Sequence, residues 1–225
     1  MNLKLTDVVK NLLIINVLFF LGSLFLLGEP SGYQQGNVIV WEYLGKNLLA
    51  LFHFSSDYFE PYQIVTHFFM HADFGHLFFN MFGLIMFGPA LESALGSKKF
   101  LIFYFICAFG ATVLYTIIQS VEIYNFNNAA VASIPVLGAS GAIYGILAGF
   151  ATKFPNVKMG LLFLPIMLPA VYFILLLVGY DIISGITTFN SGTGGTAHFA
   201  HVGGAVIGFL LIKYWERHGN ENRWR

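Results

Sequence analysis

A chain of 225 residues in which 57% of the side chains are hydrophobic and 10% charged falls outside the soluble globular class, where charged residues make up about 25%. The formal net charge is zero, which argues against a nucleic-acid partner. A single cysteine, Cys107, excludes an intramolecular disulfide and any site built from several cysteines; its neighbours Phe105, Ile106 and Phe109 give it a packing role.

Six apolar runs stand near residues 9–28, 75–95, 99–121, 139–153, 159–182 and 198–216, measured against the roughly 20 residues a helix needs to cross a bilayer core. Because backbone polar groups in lipid must be satisfied internally, they predict an all-α polytopic bundle of six transmembrane helices, forming one domain over 1–225. Lys4 and Lys10 precede the first run, which continues from Leu12 to Leu27 without a small-residue cleavage site and reads as a retained signal-anchor. With the N-terminus inside, Lys4, Lys10, Lys98, Lys99, Lys153, Lys158, Lys213, Arg217, Arg223 and Arg225 share the cytoplasmic side, and only Lys46 lies opposite. That bias predicts both termini to be cytoplasmic.

The first outer connection, residues 29–74, carries Val38, Val40, Leu44, Leu48, Leu51 and Phe52 beside Trp41 and Tyr43. It predicts short helices in the headgroup interface. The fourth run, Ala139 to Lys153, rises only about 21 Å. With Lys153 and Lys158 held at the inner surface, Ser140 falls well below the outer one, and the gap above it predicts an aqueous pocket.

Spans two, four and six all descend from that outer side. His76 and Asn80 open span two, Ser140 opens span four, and His198 and His201 open span six. Converging polar groups at that depth are functional candidates. Gly141, Gly145 and Gly149 recur every four residues on span four, as do Gly204 and Gly208 on span six; this spacing lets helix backbones approach closely. A serine hydroxyl needs a base to become a nucleophile, and His201 is placed to serve. Tyr144 shares the face of Ser140 and is positioned to hold the imidazole. His76, Asn80 and the Ser140 backbone N–H, at a helix N-terminus, could receive a developing oxyanion. Asp181 reads as the outer end of span five and is assigned no part in a triad. A metal centre on His71, His76, His198 and His201 is the rival chemistry; it lacks H-E-x-x-H and a converging intramembrane acid, and leaves Ser140 unexplained.

Three motifs resemble the rhomboid intramembrane serine proteases: His71-Ala72-Asp73-Phe74-Gly75-His76-Leu77-Phe78-Phe79-Asn80, Gly138-Ala139-Ser140-Gly141 with Tyr144, and Ala197-His198-Phe199-Ala200-His201-Val202-Gly203-Gly204 with Gly208. Glu92 and Gly96 also fit, and the similarity covers about residues 60 to 215. The resemblance implies Ser140 as nucleophile, His201 as base in a dyad without a carboxylate, His76 and Asn80 with the Ser140 N–H at the oxyanion, Tyr144 stacked on His201, and His71 supporting the outer loop. It implies no cofactor and no metal, and as partners the lipid bilayer and transmembrane substrates with small residues before the cleaved bond. Substrate would enter beside span five, whose Pro165 and Pro169 predict a movable wall, near Phe79 and under a cap at 186–197 containing Gly192, Gly194 and Gly195. A rhomboid-like pseudoprotease is the alternative, though such proteins characteristically lose the serine or histidine. Resemblance also sets an expectation of a bacterial plasma membrane.

Overall fold

The computed structural model describes residues 4–28, 31–35, 38–43, 45–161, 164–190 and 195–218. Helix α1 (Asp7–Gly22) runs into a π-helical turn, Ser23–Leu27. A β-hairpin follows, β1 (Ser31–Gln35) against β2 (Val38–Tyr43). Next come a 3-10 turn (Gly45–Leu49), the single-turn α2 (Gln63–Thr66) and a second 3-10 turn (His67–Phe69). Helices α3 (Phe74–Leu95) and α4 (Ser97–Asn125) then descend and return, with only Gly96 between them.

The short α5 (Ser140–Lys153) leads into a second hairpin, β3 (Lys158–Leu161) with β4 (Leu164–Pro169), and thence to α6 (Ala170–Asn190) and α7 (Thr196–His218). Among the described residues, five helices are long and apolar enough to cross a membrane. The 14-residue α5 is not one of them; it is the axis on which the others pack. Nearly every side chain from Gly141 to Ala151 is buried, against α7, α4 and α3.

Small residues explain how so short a helix is enclosed. A Cβ on Gly204 would strike the Gly141 carbonyl, and one on Gly208 would lie 2.5 Å from that of Gly145, so α7 rides directly on the α5 backbone. The bare faces of Gly141 and Gly145 turn instead toward Ala111 and Cys107 of α4. Close backbone approach replaces the hydrophobic driving force that lipid cannot supply.

Two expectations need correction. The start of the outer connection is a hairpin, because the β-branched and aromatic run Val38–Tyr43 suits a strand better than a helix. The fifth helix does not span 159–182. Pro165 and Pro169 sit in β4, where a missing N–H does no harm to a helix, and α6 begins after them and continues to Asn190. The prolines therefore do not loosen its interior. Of the expected cap, residues 186–190 are helical, Gly195 is a turn residue, and Gly192 and Gly194 lie outside the described residues.

At the basic end Glu92, only 2% exposed, ties three helices together. It accepts hydrogen bonds from Thr6 Oγ1, from the Val8 and Val9 N–H groups (3.2 and 3.0 Å) and from Ser97 Oγ (2.6 Å). The free N–H groups at the start of α1 thereby gain a buried anionic cap.

Candidate active site

Asp73 caps α3, its Oδ1 accepting the His76 N–H at 2.8 Å, and so fixes His76 in the first turn. The His76 Nδ1 accepts the Ala72 N–H at 3.4 Å, which leaves the ring proton on Nε2. That atom lies against Gly138, where a Cβ would stand 2.8 Å from it. Gly138 also has φ +124°, a conformation side chains rarely adopt. The turn delivers the chain to Ser140, the first residue of α5.

Ser140 Oγ donates to His201 Nε2 at 2.9 Å. The His201 ring stacks on Tyr144, with centroids 4.3 Å apart and planes within 9°. Ser140, His76 and His201 line a cavity of about 200 Å³, walled by Ala108, Ala111, Ala142 and Ala200 and by the larger Phe68, Tyr115 and Leu137. Asn80, one turn below His76, is buried, and its Nδ2 has no hydrogen-bond partner; it is not among the residues that line this cavity.

The outer connection roofs the cavity. Leu51 and Val136 exchange two backbone hydrogen bonds of 2.8 Å, and the Gly138 N–H donates to the His67 carbonyl at 2.8 Å. His67 lines the cavity, its Nδ1 donating to the Gln63 carbonyl at 2.6 Å and its Nε2 accepting from Thr112 Oγ1 at 3.1 Å. Gln63 in turn donates to the carbonyls of Leu48 and Tyr58. Burial pushes both His67 and His71 down to about 4, so each is a neutral structural group. His67 was silent in sequence because an isolated histidine in an aromatic loop has no periodic signature.

Asp181 is the second residue that sequence reasoning missed. Since α6 starts at Ala170, Asp181 lies at its middle rather than at an outer end. Its Oδ1 accepts from His201 Nδ1 at 3.1 Å and from His198 Nδ1 at 2.6 Å. The expectation that no acid meets the histidines is thus corrected. Donor atoms of Asp181, His198 and His201 lie within 4.8 Å of one another. They are organised as hydrogen bonds, however: ligands of a tetrahedral zinc stand about 3.3 Å apart given bonds of about 2.05 Å, farther than the 2.6 Å found here.

Residues 58–217 match the model of the Rhomboid domain. The chain belongs to the rhomboid family. It is 34% identical over 161 residues to the zebrafish (Danio rerio) presenilin-associated rhomboid-like protein A, mitochondrial, covering 70% of this chain and 37% of that one. It is 29% identical over 191 residues to Arabidopsis thaliana RHOMBOID-like protein 12, mitochondrial (80% and 56%), and 28% identical over 186 to Saccharomyces cerevisiae Rhomboid protein 1, mitochondrial (82% and 50%). The chain thus spans between about a third and just over half of the length of these relatives. Their names correct the expectation of a bacterial plasma membrane, because each is a mitochondrial protein, and with it goes the label cytoplasmic for the basic end.

Proposed function

We propose that this rhomboid is an intramembrane serine endopeptidase that cleaves transmembrane or membrane-adjacent segments of other proteins. The observation that carries the reading is the 2.9 Å contact between Ser140 Oγ and His201 Nε2 at the wall of a cavity inside a helical membrane bundle. Ser140 Oγ attacks the peptide carbonyl carbon while its proton passes to His201 Nε2. The oxyanion is received by His76 Nε2–H, the Ser140 backbone N–H and the Asn80 amide; the unpartnered Nδ2 of Asn80 supports a donor held in reserve. His201 then protonates the leaving nitrogen, and water releases the acyl group by the reverse sequence.

The small cavity at Ser140, about 200 Å³ and closed in part by Phe68, Tyr115 and Leu137, suits a small residue before the cleaved bond. A helical peptide bond is shielded and internally bonded, so the substrate must unwind to react. Helix α6 packs on α7 and α5 and scarcely meets α3, which supports sideways admission between α3 and α6, past the exposed Phe78 and Phe79. The relatives' names support a mitochondrial membrane as its home. The test is cleavage in detergent of a model transmembrane substrate with a small residue near the active-site end. Wild type should cut, Ser140→Ala and His201→Ala should not, and chelator should change nothing. Cleavage that survives Ser140→Ala would refute the reading.

A further inference from the structure

We propose that Asp181 is a positioning residue for His201, so that Ser140, His201 and Asp181 act as a triad in which His198 competes for the same carboxylate oxygen. The proposal rests on the proteolytic reading above. It starts from imidazole chemistry. A neutral imidazole carries one ring proton, and His201 accepts from Ser140 only if that proton is on Nδ1. Free in water the other tautomer predominates. Within this site the choice is made by Asp181 Oδ1, 3.1 Å from His201 Nδ1.

Burial makes the carboxylate effective. The Asp181 side chain is 2% exposed, and a carboxylate in a membrane helix persists only with partners. The ionisable groups near His201 are His76 from α3, Tyr115 from α4, Tyr144 from α5, Asp181 and Tyr180 from α6, His198 from α7, and His67 from the outer connection. Asp181 is the one acid among these described groups, and therefore the one group able to stabilise an imidazolium on His201. As the bond from Ser140 Oγ to the carbonyl carbon forms, the proton moves to His201 Nε2 and Asp181 balances the charge without accepting a proton itself.

His198 sets this site apart from an ordinary triad. It donates to the same oxygen at a shorter 2.6 Å, while Oδ2 is buried without a hydrogen bond. One oxygen serves two donors, so each draws on the charge available to the other.

The experiment compares wild type, Ser140→Ala, Asp181→Asn and His198→Ala, checking folding by thermal melting. Cleavage by wild type and none by Ser140→Ala establishes the protease reading separately. Asp181→Asn is expected to lower kcat about 100-fold or more with KM within about threefold. His198→Ala removes the competing donor and should not lower kcat. Overlapping kcat values for wild type and folded Asp181→Asn would overturn the proposal. Histidine-selective 15N NMR tests it without turnover: His201 should hold its proton on Nδ1 in wild type and shift to Nε2 in Asp181→Ala. An unchanged tautomer would refute the assignment even in a chain that cuts nothing.

Discussion

Three carboxylates are buried among the described residues, Glu92, Glu122 and Asp181, and the contrast between the first and the last separates a clamp from a site. Glu92 and Asp181 are each 2% exposed, and both sit on membrane helices. Glu92 has both oxygens occupied by four donors from α1, its cap and Ser97. Asp181 has one oxygen shared by two imidazoles and the other without a hydrogen bond, with the Tyr144 hydroxyl also facing the carboxylate. A saturated carboxylate is a clamp: it joins helices and has no capacity left over. An unsaturated one facing titratable rings can respond when charge appears beside it. Identical burial therefore says little about role; the identity of the donors decides it.

The sharpest way to separate the two regions is Ser140→Ala. It removes the group that the Asp181 cluster serves and touches nothing at Glu92, so turnover should fall to background while the melting temperature stays within about 2 °C of wild type. Glu92→Gln should do the reverse. Losing charge-assisted bonds at a buried site costs on the order of 2 kcal/mol, or roughly 4–8 °C of melting temperature, with kcat unchanged in the protein that remains folded. A fall in kcat with no loss of stability would break the division.

A third measurement tests the roof above the Ser140 cavity. His67 and His71 have folded values near 4, below the ordinary 6.5. In the unfolded chain they take up protons below about 6.5, and in the folded one only near 4. Their contribution is therefore complete above 6.5 and lost as the pH falls toward 4, and His67→Gln should flatten that decline in melting temperature. The smallest effect is expected from Tyr144→Phe, which keeps the ring stacked on His201 and removes only the hydroxyl facing Asp181; kcat should change less than about threefold.

How much of this was legible in sequence differs between the helices. Spacing put Ser140 and His201 at the heads of two glycine-lined helices, and the structure brings their side chains to 2.9 Å. It also set His76 and Asn80 one turn apart on α3, although only His76 lines the cavity. Asp181 was illegible for a local reason. The apolar run from 159 reads as continuous helix, and only the pairing of β3 with β4 reveals that Pro165 and Pro169 precede the helix. Moving the start of α6 to Ala170 carries Asp181 from a helix end to its middle, in reach of two histidines. The first hairpin was missed for a related reason: an apolar, aromatic stretch next to a membrane fits an interfacial helix or a strand equally well until its partner is known.

The most direct test is covalent labelling of the folded wild-type protein with a fluorophosphonate, with the modified residue identified by mass spectrometry. Modification is expected at Ser140 alone, at a rate that collapses in His201→Ala and is indifferent to chelator. A folded wild type that resists the probe, or one labelled equally fast without His201, would contradict an activated serine at the head of α5.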